Sequence, residues 1–421
     1  MVESRGIVFD LDVKGRGILR DEEGVIFLKG GFPGDEVLYR ETRRKKRLRE
    51  GEVLEVLAPS PNRQEPPCPY ANRCGGCDIM DLSYGAQLAW KKKRIEDVFA
   101  RLAKHPITTK VQGMDRPAHY RNHMQWKVEG RHLGLYGRGS REVVPIEHCL
   151  IAEKPMNNAL SRLQGYRGLS GVSQLLMRTN REGEMGVLLA MEKGAHPKTA
   201  LHDALLDLKP RRILLGREAK GKGHVVGPFE EILSGELVDT FLGEEFLLPE
   251  RAFFQVNRTQ AEALVGAAIE GLSPRPDDVV LDLYCGIGTI TLPLARRVKE
   301  VQGVEVVEEA VERGRDNARR NKIQNAFFAH GKSEALVERL LRETKAKKIV
   351  VDPPRSGCDV AVLSAITDSE ATRLVYVSCD PATLTRDSRL LLDGGWTLES
   401  VQGFDLFCHS LHVESLGIFS R

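Results

Sequence analysis

The spacing of apolar and polar positions changes character along the chain. Up to about residue 58, short apolar runs (Gly6-Ile7-Val8-Phe9, Val25-Ile26-Phe27-Leu28, Val53-Leu54-Glu55-Val56-Leu57) are separated by glycines at Gly15, Gly17, Gly24, Gly30-Gly31 and Gly34. Short strands with closely spaced turns predict a small β-barrel over residues 1–60. Ala58-Pro59-Ser60-Pro61-Asn62 has the chemistry of a linker. From Ser83 to about Ala103 the period becomes helical, with Leu88, Ile95, Val98, Phe99 and Leu102 on the apolar side and a lysine run facing elsewhere. Residues 61–250, especially from Val111 to Pro249, alternate short apolar strands with glycines and predict a β-rich middle domain.

After Pro249 strands and helices alternate. Val279–Tyr284, Val301–Glu305, Lys348–Asp352 and Leu374–Ser378 are short buried strands, with amphipathic helices after the first two. This predicts a doubly wound α/β domain over residues 251–421, with ligands bound at the carboxyl ends of its strands.

A length of 421 residues fits two or three domains. The 41% hydrophobic and 29% charged composition is that of a globular protein rather than a disordered one. No apolar run is long enough to span a bilayer, and the N-terminus lacks a signal-peptide layout, so no membrane contact and a cytoplasmic location are expected. A net charge of +3 says little about partners, but Arg43-Arg44-Lys45-Lys46-Arg47-Leu48-Arg49 and Lys91-Lys92-Lys93-Arg94 are dense enough to neutralise phosphates.

Five constellations carry candidate chemistry. Asp282-Leu283-Tyr284-Cys285-Gly286-Ile287-Gly288 follows a strand, and Glu305 ends the next one. Glycines there let backbone approach a nucleoside, and the glutamate can take ribose hydroxyls. Thr291 stands where a dinucleotide loop has its third glycine, so a cationic, phosphate-free cofactor such as S-adenosylmethionine fits better than NAD. Asp352-Pro353-Pro354-Arg355 ends another strand, with proline-fixed carbonyls suited to holding a flipped base. Cys379, in Ser378-Cys379-Asp380-Pro381, sits at a third strand end, where a following helix N-terminus is expected to favour the thiolate. Near the C-terminus, His409, His412 and Glu414 are open to three readings: a metal site, surface polarity, or a general base in Glu414. Finally, four of the eight cysteines (Cys68, Cys74, Cys77 and Cys149) lie in the first third. Their spacing suits a metal, iron–sulfur ahead of zinc.

Together these segments resemble the RNA uracil-5-methyltransferase family, particularly its 23S ribosomal RNA members with an N-terminal TRAM domain and a 4Fe-4S cluster. The resemblance extends over Gly31-Phe32-Pro33-Gly34-Asp35, the four cysteines, Phe253-Phe254-Gln255-Val256-Asn257 and the strand-end motifs. It implies a class I Rossmann-like catalytic domain with a mixed seven-stranded sheet, preceded by an OB-like TRAM barrel and an iron–sulfur central domain. Gln255, Tyr284, Glu305 and Asp352 would contact S-adenosylmethionine, Cys379 would be the nucleophile and Glu414 the base. Cys68, Cys74, Cys77 and Cys149 would hold the cluster, and the helix over 83–103 would pack on the catalytic domain. Ribosomal RNA is the implied partner, transfer RNA the alternative target, and a monomer without an obligate protein partner is expected. An inactive, redox-sensing RNA-binding protein is the rival of another class. Asp380 stands where many members have asparagine, and Cys408 where proline is usual.

Overall fold

The computed structural model describes residues 3–46, 48–195, 199–218, 225–248 and 254–421. Arg47, Pro249 and Phe253, which entered the sequence reading, lie outside the described residues.

Five strands, β1 (Glu3–Leu11), β2 (Gly17–Asp21), β3 (Gly24–Lys29), β4 (Glu36–Lys45) and β5 (Leu48–Ala58), form a closed barrel in the order β1-β2-β3-β5-β4. Alternation along β1 turns Val8 inward, onto Leu19, Ile26, Leu28, Val37 and Tyr39, and leaves Ile7 and Phe9 outside. Asp35 closes the unit. Its buried carboxylate accepts from the backbone N–H groups of Phe32 (2.6 Å) and Ser60 (2.8 Å) and from the Arg63 guanidinium (2.8 Å), which fastens the linker to the barrel. The described residues of the first basic run lie at the ends of β4 and β5, and much of their charge is already paired within the barrel. Arg49 pairs with Asp21 (2.5 Å) and Glu41 (2.9 Å), Arg43 with Glu50 (3.2 Å), and Arg44 with Glu41 and Glu23.

Next in the chain come a helix, Tyr84–Val98, its π-helical extension Phe99–Ala103, and a two-residue strand, β6 (Val111–Gln112). Seven further strands build a central sheet in the order β13-β12-β11-β10-β7-β8-β9. They are β7 (His123–Glu129), β8 (His132–Tyr136), β9 (Val143–Pro145), β10 (Val172–Thr179), β11 (Met185–Met191), β12 (Arg212–Glu218) and β13 (Val225–Leu233). A hairpin, β14 (Val238–Phe241) and β15 (Glu244–Leu247), follows.

The last segment supplies β16 (Val279–Leu283), β17 (Glu300–Glu305), β18 (Ala326–His330), β19 (Lys348–Val351), β20 (Arg373–Ser378), β21 (Thr397–Phe404) and β22 (Glu414–Ser420). The sheet order is β18-β17-β16-β19-β20-β22-β21-β6. Five strands are parallel and β22 runs antiparallel between β20 and β21. The sheet therefore has eight strands rather than seven, because β6, from residues 111–112, pairs in parallel with Gly403 and Phe404 on its edge.

The Tyr84–Val98 helix lies on this same sheet. Ile95, Phe99 and Ala103 are fully buried in a core shared with Leu374, Leu384, Leu398 and Val401. The lysine run does not all face solvent as expected. Lys91 is wholly buried and its Nζ lies 2.5 Å from Asp405 Oδ1, with both side chains out of contact with water. Lys91 also donates to Phe407 O (3.1 Å), and Tyr84 Oη donates to the second Asp405 oxygen (2.9 Å). Lys92 and Lys93 are the exposed members of the run. Leu102, expected inside, is 56% exposed, since the wider π turn rotates it off the apolar stripe. Among the described residues no helix is long and apolar enough to cross a membrane.

Removing one member of a buried ion pair strands the other charge. Lys91→Ala or Asp405→Ala should cost about 3–5 kcal/mol of stability by chemical denaturation, while Lys91→Met combined with Asp405→Leu should cost far less.

Candidate active site

The carboxyl ends of β16, β17 and β19 carry three acidic residues. β16 stops at Leu283 because Tyr284 takes a left-handed backbone (φ 66°), and Gly286 (φ 56°) and Gly288 (φ 92°) complete a tight loop. A side chain on Gly286 would meet nothing within 4 Å, so the loop faces open space there. The Gly286 N–H donates to Glu305 Oε2 (3.1 Å), and the Val307 N–H donates to Glu305 Oε1 (2.8 Å). Asp282 is fully buried: Oδ2 accepts from Thr291 Oγ1 (2.6 Å), while Oδ1 has no hydrogen-bond partner. Burial lifts its carboxyl to about 7, and the nearby charges of Asp352 and Glu305 add to the effect. Burial also raises Asp352 to about 7. Among the described residues none of the three has a cationic partner within ion-pair distance. An orphaned carboxylate oxygen in a pocket of like charges fits a cationic ligand, and Thr291, in place of a third glycine, holds Asp282 in position.

Two other expected contacts are placed differently. Tyr284 is half-buried; desolvation raises its hydroxyl, against a hydrogen bond with Ser333. Gln255 is fixed through its backbone, because Asn122 Nδ2 donates to Gln255 O (3.0 Å) and Asn122 N to Val256 O (2.9 Å). The central sheet thus grips the segment that leads into the catalytic sheet.

Cys379 follows β20 and is half-buried. Asp380 caps the Pro381–Asp393 helix, its Oδ1 accepting from Ala382 N (2.9 Å). The expected lowering of the thiol by this helix end is not the dominant effect. Burial pushes Cys379 up to about 11, the Glu414 charge pushes the same way, and only Arg355 opposes. The capping carboxylate of Asp380 also raises it, offsetting the helix end. Glu414 opens β22 beside β20, one residue from the Ser378–Ser415 pair, and is buried. Desolvation lifts its carboxyl to about 8, Asp352 adds to this, and Arg355 again opposes. Cys379, Glu414, Asp352 and Arg355 thus form one electrostatic group. The loop bearing Arg355 is tethered from behind, with Cys358 N donating to Asp387 Oδ2 (2.9 Å) and Arg386 to Ser356 O (2.9 Å).

The metal reading of His409, His412 and Glu414 is not supported. His409 is buried, with Nε2 at 2.7 Å from Pro117 O and Nδ1 at 3.2 Å from Gln87 Nε2, so both ring nitrogens are engaged. Among the described residues no group of three or more His, Cys, Asp or Glu converges as ligands of a single metal ion. Cys68, Cys74, Cys77 and Cys149 nevertheless line one cavity of about 30 Å³, walled by apolar residues including Met80, Leu135 and Ile151. Burial raises the Cys74, Cys77 and Cys149 thiols, and their mutual charges raise them further. The Gly76 N–H points at Cys74 Sγ (3.4 Å).

Sequence reasoning missed Lys91, Arg94, Asp405 and Asp78, which organise the loop before Glu414. One signal was available: between Leu88 and Ile95 the apolar stripe has a gap, and helical spacing puts Lys91 in it. A charged residue on the buried face of a helix implies a buried partner.

Comparison with known proteins adds the following. Residues 243–421 match the family described as tRNA (uracil-5-)-methyltransferase. An uncharacterized RNA methyltransferase of Halalkalibacterium halodurans is 35% identical, covering 97% of this chain and 95% of its own. One from Bacillus cereus is 33% identical over 99% of this chain and 96% of its own. The crystal structure of Pyrococcus abyssi tRNA (uracil-54, C5)-methyltransferase in complex with S-adenosyl-L-homocysteine shares the fold, with a TM-score of 0.81 at 22% identity over 99% of this chain and 100% of that one.

The raised Glu414 carboxyl has a consequence for stability. Its folded value of about 8 exceeds the ordinary 4.5, so between these values the unfolded chain has lost a proton that the folded protein keeps. Stability from this group therefore falls as pH rises through that window. Glu414→Gln should match the wild-type Tm near pH 4.5 and exceed it above about pH 8 in thermal denaturation.

Proposed function

The chain belongs to the tRNA (uracil-5-)-methyltransferase family of RNA methyltransferases, and from this premise we propose that it methylates carbon 5 of a uridine through Cys379 as nucleophile and Glu414 as base. The observation that carries the reading is the meeting of these two groups at adjacent strand ends, β20 and β22, beside the carboxylates of Asp282, Glu305 and Asp352.

Carbon 5 of uracil is a weak nucleophile. Attack of the Cys379 thiolate on carbon 6 turns the ring into an enolate and makes carbon 5 reactive. When bound, S-adenosylmethionine supplies the electrophilic methyl group that carbon 5 takes. The Glu414 carboxylate then accepts the proton from carbon 5, and the bond between carbon 6 and sulfur breaks to return the thiolate. Burial makes the Glu414 carboxylate a stronger base than a free one. Arg355 favours the charged forms of both residues. Asp282, Glu305 and Asp352 would hold the cofactor, with the Gly286 loop giving it room and Tyr284 and Gln255 at its margin.

The target base must leave its stack to reach the strand ends, so an RNA loop or unpaired segment is the expected substrate. A cleft of about 680 Å³ between the barrel and the Tyr84–Val98 helix supports an RNA path. It is lined by Phe9, Phe27, Arg20, Trp90 and Arg101 and reaches Ala382, next to the nucleophile loop. Aromatic and cationic groups together suit single-stranded nucleic acid. We assign 23S ribosomal RNA as the target on the layout of barrel plus four cysteines. Transfer RNA is the second reading, favoured by the substrate of the solved relative.

Cys68, Cys74, Cys77 and Cys149 would hold a 4Fe-4S cluster, a role supported by their shared, apolar cavity. A cluster presents a separate iron to each thiolate, so the sulfurs need not meet at one point. Methyl transfer changes no oxidation state, and the group's work there would be to cross-link the segment.

RNA carrying 5-fluorouridine tests the nucleophile, since fluorine cannot leave as a proton does. Incubation with cofactor should yield a stable covalent complex that is absent in Cys379→Ala. On ordinary RNA, Glu414→Gln should slow turnover about 10²–10⁴-fold. Mapping 5-methyluridine in ribosomal and transfer RNA of cells lacking the gene decides the target. For the cluster, anaerobically prepared protein should contain about four irons and four sulfides per chain. Replacing Cys77 by serine should remove them.

A further inference from the structure

Glu414 is delivered to the site by residues 405–413, and this loop is gripped from two sides. The Tyr84–Val98 helix holds one side with Lys91 and Arg94, three residues apart and so on neighbouring positions of one face. Lys91 takes Asp405 and Phe407 O, and Arg94 Nη1 donates to Leu411 O at 2.5 Å. On the other side, Asp78 Oδ2 accepts from Leu411 N (3.2 Å), while Asp78 N and Ile79 N donate to His409 O (2.8 and 3.0 Å). Leu411 is therefore held at both its N–H and its carbonyl, three residues before Glu414.

Arg94 does more than hold Leu411. Its Nη2 lies 4.0 Å from Asp380 Oδ1, and Asp380 directly follows Cys379. One guanidinium thus spans the loop that carries the nucleophile and the loop that carries the base. Its side chain is only 16% exposed and lies against the Trp90 ring (5.8 Å), and the exposed part faces the cleft between the barrel and the helix. As part of the Lys91-Lys92-Lys93-Arg94 run it reads as a phosphate contact, but Nη1 is taken by Leu411 O and its charge lies beside Asp380.

We propose that Arg94 is a positioning residue that sets the separation of Cys379 and Glu414 through a hydrogen bond to Leu411 O and a longer charge contact with Asp380. The inference rests on the assignment of those two residues as nucleophile and base. One arm of the guanidinium donates to Leu411 O while the other turns its charge toward Asp380, and a lysine, a single point of charge, serves both less well. Misplacement of reacting groups by about 1 Å costs about 10²-fold in rate.

The test uses the full chain with Arg94→Gln and, should that variant fold poorly, Arg94→Lys. Turnover on the methylated RNA should fall about 10–100-fold, with KM and RNA affinity within about twofold of wild type. Arg94→Lys should recover part of kcat, because it keeps the charge beside Asp380. If instead RNA affinity weakens, the salt dependence drops by about one counterion and kcat holds, then Arg94 is a phosphate contact and the proposal is wrong. A lower Tm with unchanged kcat would sink it equally, as a purely structural role. The 5-fluorouridine adduct is measured on the wild type in the same series. Its absence overturns the nucleophile assignment, whereas its presence with normal kcat in both variants overturns only the role of Arg94.

Discussion

Two opposite charges shut away from water, Lys91 and Asp405, fix how the molecule is put together. A buried pair repays its desolvation only where the geometry is good and the remaining donors and acceptors are met. Here Tyr84 takes the second oxygen of Asp405, and Phe407 O takes a further proton of Lys91. Tyr84 in turn accepts from Met114 N, and Asp405 N donates to Gln112 O, so the pair also fixes the short strand β6 at the sheet edge. A helix that follows the cysteine segment, a strand from ahead of the central sheet and the loop before Glu414 thus share one polar centre. The loop over residues 405–413 owes its shape to that centre rather than to its own sequence.

The electrostatics of the site follow from the same exclusion of water. Asp282, Asp352 and Glu414 all hold their protons more tightly than free carboxyls, and Cys379 does likewise, because each is desolvated and all but Asp352 also feel like charges nearby. Arg355, exposed at the rim, is the cation that opposes this for both Cys379 and Glu414. A cationic cofactor beside Asp282, Glu305 and Asp352, as proposed, would relieve the same crowding.

The parts legible in the sequence are those written locally. Strand-end motifs announced Asp282, Glu305, Asp352 and Cys379 because an open α/β sheet gathers its ligands at the carboxyl ends of its strands, and the short alternating runs before residue 60 announced a barrel. What was not legible depends on partners distant in the chain. The eighth strand needs Gly403 and Phe404 to exist at all. Lys91 looks like a surface charge until Asp405 is set beside it. Arg49 looks available to phosphate until the barrel closes and brings Asp21 to it. The thiol of Cys379 was misjudged for a related reason: the helix end is a local cue, whereas burial and the Glu414 charge come from the assembled sheet.

The separation of Lys91 from Asp405, 314 residues, also bears on the order in which the protein is made. At synthesis rates of about 5–20 residues per second, the lysine leaves the ribosome on the order of 15–60 s before its carboxylate does. During that interval the helix has no sheet to lie on, and Ile95, Phe99 and Ala103 have no core to enter. The barrel, closed within its own strands, can complete itself at once. The newborn chain thus carries a finished N-terminal unit and a waiting apolar helix, exposed to chaperones until the final strands arrive.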